Sequence, residues 1–219
     1  MSQNKLLTAS GARSFYTNIV PAYQAAFAET PWNEISRCPN VAQQCAGGLS
    51  PVGIGQLCLT CNLRPASPAY EPAELEERFE HLAATRPTAW YVEQDGDRVA
   101  LAAVAWLANA ATIAAEKYKD IPDMASWLNA RFTSEVLWLD EVFADRTVRE
   151  RGNLARFGVF VAAMAAELGT CVVAYRTIEP RMTAVAERDF GEQATIFTRN
   201  EGVPDRRDFV IINISEEAL

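Results

Sequence analysis

The stretch that decides the fold is SEVLWLDEVFADRTVRERGNLARFGVFVAAMAAELG, residues 134–169. It begins with an almost continuous apolar run, residues 135–144, of the kind that forms buried central strands. A polar turn at residues 145–151 leads into a helical pattern at residues 152–168, where apolar residues recur at spacings of three and four. Gly169 suits the end of that helix. The stretch therefore predicts a strand, a turn and a helix in succession.

The residues on either side predict further elements of one α/β sheet. Apolar spacing indicates the helices, and Asp95-Gly96 indicates the turn of a hairpin. The predicted elements outside residues 134–169 are helices at 11–29, 71–85 and 179–189, and strands at 88–94, 99–107, 171–177, 194–198 and 209–214. Because strands and helices alternate after Ser134, we expect a mixed α/β fold.

The length and composition predict one domain with two additions. The chain has 219 residues, 49% of them hydrophobic, which is enough for one sizeable core over residues 1–219. Residues 31–70 are rich in Gly, Pro, Ser, Asn and Cys and have no lasting periodicity, so we predict a loop insertion there. Residues 108–131 hold two short helical patterns around Pro122, which predict a helical insertion beside the sheet.

The charge of the chain indicates which classes of partner to expect. The formal net charge is −8 and the sequence has no run of Lys and Arg, so we expect no nucleic-acid partner. An amine-bearing partner fits an acidic protein better. The most apolar stretch, residues 157–166, is too short to span a bilayer, and residues 1–14 lack the apolar centre of a signal peptide. We therefore expect a cytoplasmic protein with no membrane partner, either a monomer or a homodimer.

The turn at residues 149–154, with the sequence RERGNL, has the features of an anion site. The first N–H groups of a helix lack partners, and the helix dipole adds partial positive charge to them. A pyrophosphate fits such a position, and Gly152 lets the backbone approach it closely. Arg146, Arg149 and Arg151 add positive charge to the same turn. The alternative is that Gly152 only begins the helix and the arginines are solvated.

This turn resembles that of the GNAT superfamily of acyl-CoA-dependent N-acyltransferases. That family binds the pyrophosphate with a Gln/Arg-x-x-Gly-x-Gly/Ala turn between a strand and a helix. Arg149 and Gly152 match the pattern, whereas Leu154 stands where the family has Gly or Ala. The order of elements is similar over most of the chain. The resemblance implies a mixed central sheet of the GNAT type and acyl transfer from acetyl-CoA to an amine on a small molecule, a peptide or a protein.

The resemblance also implies which residues bind acyl-CoA. The strand would pair its backbone with the pantetheine arm, and the turn would surround the pyrophosphate. The residues expected to bind the co-substrate are Val142, Phe143, Ala144, Arg149, Glu150, Arg151, Gly152, Asn153, Leu154 and Ala155. Both sets of contacts run mainly through backbone groups.

Acyl transfer to an amine requires a base, because only the neutral amine is a nucleophile. Asp140 and Glu141 are neighbouring carboxylates on an otherwise apolar strand. Strand alternation would point them to opposite faces, so one of them would face the substrate, and likeness to the family favours Asp140. Alternatively, both are strand-edge residues paired with arginine or water. The family often has a tyrosine acid on the helix after its fifth strand; residues 181–190 contain none, and Tyr175 is the candidate substitute.

Four of the five cysteines lie in the predicted loop insertion. Cys38, Cys45, Cys58 and Cys61 give the pattern C-x6-C-x12-C-x2-C, and the last pair has the spacing of a metal knuckle. Four thiolates complete a tetrahedral, structural zinc site, and zinc would organise a loop of this length. Unligated thiols, an iron–sulfur cluster or a redox disulfide are the alternatives. The fifth, Cys171, is expected in the core.

The sequence leaves two further functional alternatives open. The chain could be a binding or scaffold module that has the GNAT fold without catalysis, since Leu154 and the missing helix tyrosine depart from the family. The cysteine segment could also be a protein-interaction knuckle that drives dimerisation.

Overall fold

The structure, a computed structural model, describes residues 3–29, 32–40, 45, 48–145 and 156–214. Its helices are α1 (Ala9–Arg13), α2 (Tyr16–Ala28), α3 (Pro72–Thr85), α4 (Ala110–Lys117), α5 (Met124–Asn129), α6 (Phe157–Glu167) and α7 (Pro180–Phe190). Its strands are β1 (Gln3–Thr8), β2 (Ser36–Arg37), β3 (Leu49–Ser50), β4 (Ser67–Pro68), β5 (Thr88–Asp95), β6 (Arg98–Ala108), β7 (Val136–Ala144), β8 (Val172–Thr177), β9 (Ala194–Phe197) and β10 (Asp208–Asn213).

The central sheet has seven strands in the order β1-β5-β6-β7-β8-β10-β9. Neighbouring strands are antiparallel except for β7 and β8, which are parallel. This confirms the prediction of a mixed sheet with helices around it. A second, three-stranded sheet in the order β3-β2-β4 lies in the cysteine segment.

The first strand was not among the predicted elements, and one predicted helix is two helices in the structure. Residues 11–29 were expected to be one helix, but α1 ends at Arg13 and α2 begins at Tyr16. β1 precedes both and pairs antiparallel with β5, so that Leu7 lies opposite Trp90. Its sequence, QNKLLT, has no apolar alternation that would indicate a strand. This edge strand is recognisable only from its backbone pairing with β5.

Both faces of the central sheet are covered. On one face, Phe157 and Phe160 of α6 pack against Tyr175 of β8 and Tyr91 of β5, respectively, in a buried cluster that also includes Val161 and Met164. The other face carries the buried residues of α1, α2 and α3, and α4 and α5 form a third cluster around Trp106 and Trp138. Cys171 was expected in this core; the structure instead places it exposed, immediately before β8.

Two irregularities of β7 shape the centre of the sheet. β7 pairs with β8 through Leu137↔Val173 and Trp138↔Ala174, and beyond these pairs the two described strands separate. On its other side, the register with β6 shifts, since Val104 lies opposite Glu141 and Ala105 opposite Leu139. Asp140 is therefore the extra residue of a β-bulge, which interrupts the alternation of side chains along the strand.

Within the part of the chain that the structure describes, no helix combines the length and the apolar character needed to cross a membrane.

The packing of α6 gives a prediction about stability. Phe160 is 1% exposed and stacks on Tyr91 with ring centroids 4.8 Å apart. Phe160→Ala should lower the free energy of unfolding by about 3–5 kcal/mol, because it removes a buried aromatic ring and leaves a cavity. Its chain neighbour Val159 is 71% exposed, so Val159→Ala should change the free energy by less than about 0.5 kcal/mol. Urea unfolding of both variants measures the difference, and equal losses would contradict this packing.

Candidate functional site

A cavity of about 930 Å³ opens where β7 and β8 separate. Its lining comes from α2 and the loop after it, from α3, from the end of β7, from β8 and from the start of α7. Apolar side chains, among them Phe27, Leu139 and Met182, alternate with charged ones. A cleft of this size with a few convergent polar groups is the usual form of a small-molecule site.

Asp140 and Glu141 both line this cavity. Strand alternation had predicted that they point to opposite faces. That expectation is wrong, because Asp140 is the extra residue of the bulge and the alternation is interrupted there. Arg78 of α3 bonds to both carboxylates through the same Nη2 atom, at 3.4 Å from Asp140 and 2.6 Å from Glu141. The two acidic groups therefore belong to one electrostatic cluster.

Asp140 is held in its charged form. Its side chain is 6% exposed and forms ion pairs with Lys117 and Arg78, and Trp138 donates to its Oδ1 through Nε1 at 3.2 Å. Burial by itself would raise the pKa of Asp140, but the two cations and the indole N–H outweigh it and keep that pKa below its usual range. With so many donors, this carboxylate is poorly suited to accept a proton.

Glu141 has the opposite balance. Its side chain is 17% exposed, and burial raises its pKa despite the ion pair with Arg78; the neighbouring charge of Asp140 raises the pKa further. Two adjacent carboxylates with pKa values displaced in opposite directions typically have different roles. Glu141 is the one whose basicity is increased.

Arg78 is one of the site residues that were not predicted from the sequence. It lies on α3 and donates to the hydroxyl of Tyr23 at 3.3 Å, in addition to the two carboxylates. Opposing carboxylates keep the pKa of Arg78 raised in spite of its burial. A signal was available, because Arg78 follows Leu75 by three residues and so shares the apolar face of its helix. A charged residue on a buried helix face needs a partner.

One wall of the cavity comes from the cysteine segment. We call Trp32, Glu34, Leu49 and Tyr70 the loop wall. The hydroxyl of Tyr70 donates to Glu34 Oε2, and burial raises the pKa of Glu34. No periodicity marks Glu34, since it lies in irregular backbone, and the sequence analysis did not identify it.

Aromatic rings support the loop wall from α2. Tyr70 lies edge-on to Tyr23 with centroids 5.1 Å apart, and Trp32 lies 5.4 Å from Phe27. Gln24 donates to the backbone oxygen of Tyr70 at 2.6 Å. Aromatic faces beside a carboxylate form a setting that favours a cation.

Tyr175 lines the same cavity but is 2% exposed. Its hydroxyl donates to the backbone oxygen of Met182 at 2.9 Å, and burial raises its pKa. The hydroxyl proton that a general acid would donate is therefore already in a hydrogen bond to the first turn of α7.

The four predicted cysteine ligands lie together. The sulfur atoms of Cys38, Cys45, Cys58 and Cys61 are all within 4.8 Å of one another. Cys38 and Cys61 are 3.7 Å apart, as are Cys45 and Cys58. Four sulfurs at zinc–thiolate bond lengths form a tetrahedron with edges of about 3.8 Å, whereas a disulfide bond is about 2 Å long. The arrangement therefore fits a four-coordinate metal ion better than two disulfides.

Backbone N–H groups point at two of these sulfurs. Asn40 donates to Cys38 Sγ and Thr60 donates to Cys58 Sγ, both at 3.4 Å. Each donor lies two residues after its cysteine, so both turns are built alike. N–H groups directed at sulfur stabilise thiolates, the form in which cysteine binds metal.

A scan against models of protein families finds no match, and a search of curated protein sequences finds none either. Among solved structures, the polyamine N-acetyltransferase of Drosophila melanogaster, which forms N-acetylagmatine, is similar with a TM-score of 0.59. The two sequences are 12% identical, and the match covers 98% of this chain and all (100%) of that one. An agmatine N-acetyltransferase matches with a TM-score of 0.56, at 12% identity and with the same coverage, 98% and 100%.

A GNAT-family acetyltransferase from Staphylococcus aureus Mu50 matches with a TM-score of 0.51 at 9% identity, over 97% of this chain and 100% of that one. The chain has the GNAT fold. The resemblance inferred from the residue 134–169 stretch is thereby confirmed at the level of the fold.

Within the GNAT fold, the predicted acyl-CoA residues fall into two groups. Val142, Phe143 and Ala144 line the cavity on the part of β7 that has separated from β8. The residues expected around the pyrophosphate lie outside the described residues; they are Arg149, Glu150, Arg151, Gly152, Asn153, Leu154 and Ala155.

Proposed function

We propose that this protein is an N-acyltransferase that moves an acetyl group from acetyl-CoA to an amine. The observation that carries the proposal is the cavity between the separated ends of β7 and β8, with Glu141 in its wall. The GNAT fold supports it, because the similar solved structures include N-acetyltransferases that act on polyamine and agmatine substrates.

The donor is proposed to bind along β7. β7 pairs with β6 on one side through Ala102↔Phe143 and Ala103↔Val142, and its other side faces the cavity. An extended ligand can add to a free strand edge through backbone hydrogen bonds, as the amide groups of pantetheine would. The thioester would then lie near the bulge, beside Glu141. Residues 149–155 remain the proposed pyrophosphate site.

Glu141 is proposed as the general base. It would take a proton from the acceptor ammonium group, directly or through one water molecule, and the neutral nitrogen would attack the thioester carbonyl carbon. The carbon–sulfur bond then breaks, the CoA thiolate leaves with the electron pair, and the second proton of the nitrogen passes to the thiolate or to solvent, which gives the amide and free CoA. Asp140 is proposed to hold Arg78 and Lys117 rather than to move a proton. We assign no step to Tyr175, because its hydroxyl is bonded to Met182 and a thiolate is a good leaving group.

The acceptor is proposed to bind between Glu141 and the loop wall. Glu34 supplies negative charge there, and Trp32 and Tyr70 supply aromatic faces. This combination attracts the protonated amino group of the acceptor, or the second cationic group of a longer acceptor that carries two.

The four-cysteine cluster is proposed to bind one structural zinc ion. Four thiolates fill the tetrahedral shell and leave no position for water, so this zinc would take no part in the chemistry. The sulfur separations of 3.7 Å support the assignment.

Isothermal titration with acetyl-CoA tests the proposed function most directly. We expect one site per chain with a dissociation constant between about 1 µM and 1 mM, the usual range for enzyme substrates. NAD is the control, because it carries a pyrophosphate but no pantetheine arm to pair with β7. Absence of heat at millimolar acetyl-CoA would refute the donor assignment, and binding without acetylation of any amine in a broad screen would favour a scaffold module.

The two carboxylates should respond differently to removal of their charge. Glu141→Gln should lower kcat/KM by about 10²–10⁴-fold with little change in melting temperature, because it removes the base. The pKa of Glu141 is raised, so Glu141 takes up a proton at a higher pH than an ordinary glutamate does. A protonated Glu141 cannot act as a base, so the wild-type rate should fall as the pH drops through the pKa of Glu141.

Asp140→Asn is the matched comparison. It leaves Lys117 without its buried carboxylate and removes one of the two carboxylates bonded to Arg78, and it should cost about 3 kcal/mol of stability. Steady-state kinetics against pH and thermal unfolding of both variants provide the measurements. Full activity in Glu141→Gln would eliminate the proposed base.

Metal analysis of the purified protein should find one zinc ion per chain. Cys58→Ser should remove it, because a three-thiolate site loses its closed shell. Cys171→Ser is the control, since Cys171 is exposed and lies outside the cluster. A fully folded chain that contains no metal would argue against structural zinc.

A further inference from the structure

The cysteine cluster and the loop wall are connected by one small sheet. The middle strand of this sheet is β2. Glu34 lies just before β2, at its cavity end, and Cys38 directly follows β2, at its cluster end. β4 has the same arrangement, because Tyr70 lies beyond its cavity end. Glu34 and Tyr70 of the loop wall are therefore only a few residues from the metal ligands or from the turn that holds them.

Backbone hydrogen bonds couple the strands at the cavity end. Ile35 donates to the oxygen of Ser50 at 3.0 Å, and Ala69 donates to the oxygen of Ile35 at 3.1 Å. Glu34 itself donates to the oxygen of Phe27 at 2.8 Å, which fixes the wall to the end of α2. The position of Glu34 thus depends on the register of this sheet.

A second set of bonds couples β4 to the cluster. Cys58 donates to the oxygen of Arg64 at 3.0 Å, and Ala66 donates to the oxygen of Gln56 at 2.7 Å. The turn that carries Cys58 and Cys61 is therefore hydrogen-bonded to the residues that lead into β4. Both β2 and β4 are tied to the thiolates at their far ends.

Apart from Trp32 and Tyr70, which pack against α2, apolar packing contributes little to this segment. Its buried cluster, among the described residues, consists of the cysteines themselves. Large apolar side chains of the segment face solvent instead: Ile54, Leu57, Leu59 and Leu63. A segment without an apolar core needs another source of order, and a metal bound to four thiolates supplies it.

We infer that the metal centre positions the loop wall and thereby sets the affinity of the protein for its amine acceptor. With metal bound, β2 and β4 hold Glu34 and Tyr70 against the cavity. Without it, the wall loses its register and the carboxylate that attracts the ammonium group is misplaced. Acyl-CoA binding is independent of the metal, because Val142 to Ala144 belong to β7 in the central sheet. This inference rests on the proposed function.

Hydrogen exchange tests the structural half of the inference. The protein is compared as purified with bound zinc, after removal of zinc by a chelator, and after zinc is restored. Zinc removal should accelerate exchange at the amides of Glu34, Ile35 and Ala69 and leave those of Ala103 and Val104 on β6 unchanged. Unchanged exchange at the first three amides would overturn the inference, whatever the activity of the protein.

Binding and kinetics test the functional half. Zinc removal should raise KM for the amine about tenfold, a typical coupling between two sites, while the dissociation constant of acetyl-CoA stays within about twofold. In Glu34→Gln the amine KM should already be raised, and zinc removal should then change it little. Cys171→Ser should behave as the wild type does.

The possible outcomes distinguish a failure of this inference from a failure of the proposed function. An equal loss of amine and acetyl-CoA affinity on zinc removal would overturn it, because the metal would then support the whole fold. An unchanged amine KM would overturn it as well. If zinc-loaded protein fails to bind acetyl-CoA, the proposed function fails instead, and the exchange experiment still decides whether the metal orders the wall.

Discussion

The β-bulge at Asp140 is the constraint around which the site is built. In a regular strand, Asp140 and Glu141 would lie on opposite faces of the sheet. The extra residue brings both into the same cavity, where the charge of Asp140 raises the proton affinity of Glu141. Such a pair is stable only if cations lie beside it, so the bulge creates a requirement for Arg78 and Lys117.

These two cations come from different parts of the chain and connect those parts to the site. Arg78 belongs to α3, whereas Lys117 ends α4 in the helical segment 110–129. The backbone oxygen of Lys117 also accepts a hydrogen bond from Arg176 of β8 at 3.1 Å. The helical segment is therefore held against both strands that border the cavity, which explains why it lies beside the sheet at this point. The distribution of charge is uneven, since Asp140 contacts both cations and Glu141 only one.

The sequence was sufficient where one short segment determines its own structure. The buried run of β7, the helix α6 and the grouping of four cysteines follow from local pattern or spacing, and all are found. The bulge was not predictable, because it depends on the register between β7 and β6. β1 has no apolar pattern and exists through its ladder with β5. Glu34 and Tyr70 meet only because a small sheet folds the cysteine segment over the cavity.

The proposed metal centre, in place of an apolar core in that segment, would have a physical reason. The segment has to present polar and aromatic groups to a cavity on one side, and its other side meets water, so there is little room for buried aliphatic side chains. Burial of one leucine contributes about 1.5–3 kcal/mol, and Leu59 and Leu63 are 77% and 73% exposed, so they contribute little of that. Structural zinc binding contributes about 10–16 kcal/mol in small zinc-binding peptides. One four-thiolate metal centre could thus order a polar loop that hydrophobic burial could not, and its ligands, which lie away from the cavity, would not compete with the proposed substrate.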